Sequence, residues 1–152
     1  MNEHDRRGAE LTRVVFELPP GAPTPTETLW AESLGNRLYR LDNAPWFAFG
    51  CAQGDVVRCE ERPGDFPRFI EVVEPGGSRT VRVFVPEAPQ RDAVKDEVFS
   101  MLRENGCGCE GFGAMRGLVA VTIPVEVDPE RVLSTLRALE RQGKAYWESG
   151  NF

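Results

Sequence analysis

The hydrophobic period of this 152-residue chain changes near residue 78, and that change limits the fold more than any other feature. Upstream, apolar residues alternate in short runs that are cut by turn residues every eight to twelve positions, the pattern of a small twisted sheet or barrel. Leu11 to Leu18 reads as a strand with Val14, Phe16 and Leu18 on one face. Pro19-Pro20-Gly21-Ala22-Pro23-Thr24-Pro25 then stops it as a stiff loop. Leu29 to Leu34 and Arg37 to Leu41 read as a hairpin around Gly35-Asn36, two residues that tolerate positive φ. A turn at residues 42–45 and an aromatic stretch, Trp46-Phe47-Ala48-Phe49, follow. Asp55 to Glu61 and Arg68 to Glu74 are two more short strands, and Gly76-Gly77 closes this half.

Downstream the spacing becomes helical. After a valine-rich strand, Thr80 to Val85, Pro89 suits a first helical position, and Val94, Val98, Met101 and Leu102 share one face. Asn105-Gly106 supplies a left-handed stop. Cys107 to Phe112 and Leu118 to Val125 read as strands. Asp128 is a good N-cap with Pro129 behind it, and Val132, Leu133, Leu136 and Leu139 form one stripe up to Gln142-Gly143. Ala145 to Glu148 closes a β-α-β-β-α-β order, the split βαβ of ferredoxin-like folds. The predicted class is α+β. Its parts are a flexible arm at 1–10, a small β-barrel-like half at 11–78, and a ferredoxin-like half at 79–152 packed against it.

Charge and cysteine usage narrow the chemistry. The net charge is −6, shared as −5 over residues 1–78 and −1 over 79–152, which is the wrong sign for a nucleic-acid binder. No apolar run is long enough to span a bilayer, and the N-terminus lacks an apolar h-region, so a cytoplasmic protein without membrane contact is expected. Cys51, Cys59, Cys107 and Cys109 do not have knuckle spacing, and His4 is the sole histidine, so no metal or other cofactor is expected. Gly106-Cys107-Gly108-Cys109-Glu110-Gly111 spells G-x-G-x-x-G, but it follows a helix and leads into strands, the reverse of a dinucleotide site.

Catalytic constellations are incomplete. A Ser-His-Asp or Cys-His arrangement would depend on His4 in the arm. The remaining route is a carboxylate pair drawn from Glu32, Asp42 and Asp55, although Asp42-Asn43 before Pro45 and Asp55 after Gly54 also suit ordinary turns. Trp30, Tyr39, Trp46, Phe47 and Phe49 read first as barrel core, and second as a stacking platform.

The stretch Leu29-Trp30-Ala31-Glu32, then Leu38-Tyr39-Arg40-Leu41-Asp42-Asn43-Ala44-Pro45-Trp46-Phe47-Ala48, with Gly54-Asp55-Val56-Val57 behind it, resembles a bacterial family called domain of unknown function 4265. Arg82-Val83-Phe84 and Arg116-Gly117-Leu118-Val119-Ala120-Val121 continue the likeness, which covers about residues 11–148. Trp46 stands where the pattern usually has Phe. The resemblance implies no activity, substrate or cofactor.

The expected function is a non-catalytic protein-binding module, for instance an antidote or immunity protein that meets a basic partner by electrostatic steering. The alternative is a small-molecule sensor or carrier. Its pocket would lie between the halves, lined by Trp30, Tyr39 and Trp46 with Arg40 or Asp42 at the rim. The expected binding set is therefore Trp30, Glu32, Tyr39, Arg40, Asp42, Asn43, Trp46 and Asp55. A carboxylate-dependent enzyme is the third reading.

Overall fold

The computed structural model describes residues 10–152, so His4 and all of the predicted arm except Glu10 lie outside it. The described residues hold nine strands and two helices: β1 (Leu11–Glu17), β2 (Thr26–Gly35), β3 (Leu38–Leu41), β4 (Val56–Glu60), β5 (Arg68–Glu74), β6 (Arg79–Phe84), α1 (Arg91–Glu104), β7 (Gly108–Phe112), β8 (Met115–Ile123), α2 (Pro129–Arg141) and β9 (Tyr146–Ser149). Two sheets and two helices make an α+β molecule, the predicted class.

The first sheet runs β1-β2-β3-β4-β5, and a parallel pair at Val15 and Arg68 joins β1 to β5, so the sheet closes on itself. Strand alternation fills its interior. Val14 and Phe16 from β1 meet Leu29 and Ala31 from β2 and Leu41 from β3. Phe16 stacks on Phe69 with ring centroids 4.5 Å apart. Aliphatic residues and buried cysteines fill most of this core, which corrects the expectation of an aromatic one. Of the five aromatics predicted there, only Tyr39 is in it. Trp30 and Phe49 are exposed, and Trp46 and Phe47 are half-buried elsewhere, because the alternation that sends Leu29 and Ala31 inward sends Trp30 out.

The hairpin between β2 and β3 is shifted by one residue from the expected Gly35-Asn36. Gly35 pairs with Leu38 across a bulge, and the two loop residues are Asn36 and Arg37, both with positive φ. Such a pair matches the right-handed strand twist as a type I′ turn does.

The second sheet is ordered β7-β8-β6-β9, with every neighbouring pair antiparallel. Val81, Val83 and Val85 along the β6 strand and its end pack with Val119, Val121 and Ile123 against the apolar faces of the two helices. The Asp128 side chain accepts from Glu130 N at 3.0 Å at the start of α2. Pro89 lies before the Gln90 cap of α1 and outside the helix, a correction of its expected first-turn place. Both helices end in the same wrap: Gly106 and Gly143, at positive φ, donate to Arg103 O and Glu140 O, while Cys107 and Lys144 donate to Leu102 O and Leu139 O.

The opposite face of β6 carries Thr80, Arg82 and Phe84. The loop of residues 42–55, which joins β3 to β4 in the first sheet, lies over this face. Thr80 Oγ1 donates to Cys51 O at 2.9 Å, and Gly50 N donates to Gly150 O at 2.6 Å. One face of the second sheet thus meets the helices, and the other meets the first half of the chain.

Candidate functional site

Two carboxylates shape the seam loop. Glu27 lies on β2 beside Leu29 and faces inward, and its carboxylate accepts N–H groups from Trp46, Phe47 and Ala48, the latter two at 2.9 and 2.8 Å. Three consecutive amides converge on one charge, which fixes the aromatic stretch as a tight turn. Asp55, also buried, accepts from Ala52 N at 2.9 Å and Gly76 N at 2.8 Å.

The cation of the seam is Arg82, with only 3% of its surface exposed. Its Nη1 donates to Ala48 O at 2.9 Å and Pro45 O at 3.3 Å, and its Nε donates to Glu148 Oε1 at 3.1 Å. The Phe49 ring lies over the guanidinium, 4.4 Å from Cζ to centroid. Its Nη2 is buried and has no hydrogen-bond partner among the described residues.

Arg82 lies in the wall of a cleft of about 480 Å³. Trp46, Phe47 and Phe49 from the seam loop line one side, and Phe84, Met115 and Leu118 from the second sheet line another. The proline loop of residues 19–23 forms its lip. A smaller hollow of about 180 Å³ shares Arg82, Phe84, Leu118 and Glu148 with it. Phe112 props the aromatic wall from β7, its ring 5.1 Å from Trp46 and 5.7 Å from Phe47. The walls are largely apolar, with Arg82 and Glu148 as the two charged lining residues, and the volume falls in the range of small-molecule clefts.

Of the eight residues picked from sequence, only Trp46 lines this cleft. Trp30 faces away on β2, 44% exposed, with the Arg13 guanidinium 4.5 Å over its ring. Tyr39 is inside the closed sheet, where its hydroxyl donates to Glu61 at 3.3 Å. Burial and that neighbouring carboxylate raise the Tyr39 pKa. Glu32 and Arg40 pair across β2 and β3 at 3.4 Å. Asn43 Oδ1 accepts from Trp30 N at 2.9 Å, and Asp42 N donates to Trp30 O. The expected pocket of Trp30, Tyr39 and Trp46 is therefore corrected: the three rings lie outside, inside and at the seam. Glu32, Asp42 and Asp55 do not form a catalytic pair either, since Glu32 is paired with Arg40 and Asp55 holds a turn. Asp42 instead acts on Glu110 of β7, whose carboxyl is held above the ordinary range by partial desolvation and by the Asp42 charge.

All four cysteines are free. Burial pushes Cys51 and Cys59 up to about 12 and Cys107 to about 11, and raises Cys109, so none is an activated thiolate. Among the described residues, no three His, Cys, Asp or Glu side chains are grouped to hold a metal ion, and no helix is long and apolar enough to cross a membrane.

Sequence reasoning missed Glu27, Arg82 and Glu148. A signal for two of them was present: Glu27 shares its alternation face with Leu29 and Ala31, and Arg82 interrupts Val81-Arg82-Val83 in a strand covered on both faces.

A family model described as "Domain of unknown function (DUF4265)" matches residues 27–147. The chain belongs to the DUF4265 family. The DUF4265 match runs from Glu27 to Trp147 and so takes in the seam loop, Arg82 and the elements from β3 to α2, while β1 lies outside it. No curated protein matches the sequence. In fold, this DUF4265 chain is similar to a hypothetical protein from Neisseria gonorrhoeae, with a TM-score of 0.76 at 14% identity, over 93% of this chain and 94% of that one. At that identity the likeness concerns the fold alone.

Proposed function

We propose that this chain is a non-catalytic binding module that carries or senses a small, largely apolar molecule in the seam cleft. The observation behind this reading is the cleft itself, an apolar hollow of about 480 Å³ with a single buried cation in its wall. The architecture behind it reads as a small β-barrel at 11–78 packed on a ferredoxin-like half at 79–152. The closing β1–β5 pair supports the first part, and the β7-β8-β6-β9 order supports the second. Within the binding class, the cleft favours a small molecule over a basic protein, because its walls are largely apolar and its two charged lining residues, Arg82 and Glu148, are paired with each other.

The test is saturable binding of an uncharged naphthylamine fluorophore to the full chain. Met115→Trp, which fills the mouth from an exposed strand end, is expected to abolish it. Binding that does not saturate, or that survives Met115→Trp unchanged, contradicts the reading. A matched ligand at 100 times its Kd should add about 2.7 kcal/mol of stability.

A protein partner is the second reading, favoured by the exposed apolar side chains of Phe49, Phe84 and Met115 around the same cleft and of Tyr146 in the adjoining hollow. Net charge −6 would steer a basic partner, such as a toxin masked by its antidote. Salt-sensitive capture of one basic protein, by a chain that shows no saturable binding of the naphthylamine probe, would favour this second reading.

A further inference from the structure

Arg82 has five N–H donors in a rigid fork, and the seam uses them unevenly. Nη1 serves two backbone carbonyls, Nε serves one oxygen of Glu148, and Nη2 serves nothing although it is buried. Nε and Nη2 form one edge of the guanidinium, the edge that a carboxylate grips with two parallel hydrogen bonds. Glu148 takes only half of that edge. It does so from a four-residue strand at the margin of the sheet, with 58% of its side chain in solvent. The paired groups are thus unequal: the cation is fixed and dry, and the anion is loosely held and wet. Gly150 lies beside Nη2, and a Cβ there would come within 3.3 Å of it.

We infer that Glu148 is a built-in stand-in for the ligand's own carboxylate, so that the cleft takes an apolar monocarboxylate that displaces Glu148 and grips Nε and Nη2 of Arg82 together. This rests on the cleft reading above. A single charge suits the site because one guanidinium is buried there, and a second negative charge would be left unpaired. A planar group suits it because the Nε and Nη2 donors lie in the guanidinium plane, where a carboxylate makes two parallel hydrogen bonds. Displaced Glu148 needs no new partner, since it already reaches water.

The experiment titrates 1-naphthoate and its uncharged amide into the full wild-type chain and into Glu148→Gln, with circular dichroism to check each fold. Wild type is expected to bind naphthoate more tightly than the amide. Glu148→Gln, which removes the competing charge, is expected to tighten naphthoate roughly tenfold and to move the amide by less than about twofold. Arg82→Lys, which keeps the charge and loses the fork, is expected to erase the preference. Equal affinities for acid and amide, or no gain in Glu148→Gln, overturn the carboxylate inference while the cleft reading stands on the amide. Failure of both probes in every variant overturns both.

Discussion

Glu27 is one carboxylate answering three consecutive backbone donors, and among the described residues no other side chain hydrogen-bonds to those amides. Hydrogen bonds to a charged acceptor contribute about 1.5–3 kcal/mol each, but the three share one group, so their sum is an overestimate. Glu27→Ala is expected to cost about 2–4 kcal/mol in urea denaturation, and Glu27→Gln less, since one oxygen remains to accept. An unshifted midpoint in Glu27→Ala would mean that the loop holds itself. Glu110 makes the opposite prediction. Its carboxyl binds its proton more tightly in the folded chain than in the unfolded one, with desolvation as the first cause and Asp42 as the second. Stability from this group is therefore present at acid pH and is lost as pH rises through the raised folded value. Glu110→Gln should raise the melting temperature at pH 7 and lose that advantage towards pH 4. A constant advantage across that range would contradict the assignment.

At the scale of elements, the helices were readable because their signals are local. The Asp128 cap, the apolar stripes and the glycine stops agree with one another and do not depend on distant residues. The hairpin was readable only to within one residue, because Gly35, Asn36 and Arg37 all have positive φ and a bulge decides which two form the loop. That bulge leaves Arg37 in a left-handed conformation that disfavours it by about 1–2 kcal/mol. Glycine at this position loses about 0.5–1 kcal/mol more chain entropy on folding, so Arg37→Gly should stabilise by roughly 0.5–1 kcal/mol. Calorimetry checks this, and a lower melting temperature would show that the Arg37 side chain contributes more than its backbone costs.

For the whole molecule, the seam decides both cooperativity and site. Arg82 from the second sheet holds carbonyls of a loop that Glu27 from the first sheet also holds, so each half completes the other. Tryptophan fluorescence and circular dichroism should follow one coincident urea transition, and two separated transitions would mean that the halves are stable apart. The same construction explains why the site was not legible. Alternation in β2 and β6 could mark Glu27 and Arg82 as inward-facing charges, but their meeting over one loop needs contacts 19 to 21 positions from Glu27 and 34 and 37 positions from Arg82, which no local pattern encodes. The central claim is that the seam cleft is where a ligand binds. A ¹⁵N-correlation NMR titration with 1-naphthoate tests it most directly, because every amide reports its own position. Shifts concentrated at Ala48, Phe49, Leu118 and Gly150, together with the Arg82 side-chain Nε signal, are the expected result. Shifts confined to the Tyr39 and Glu61 end of the closed sheet, or none at saturating probe, would contradict it.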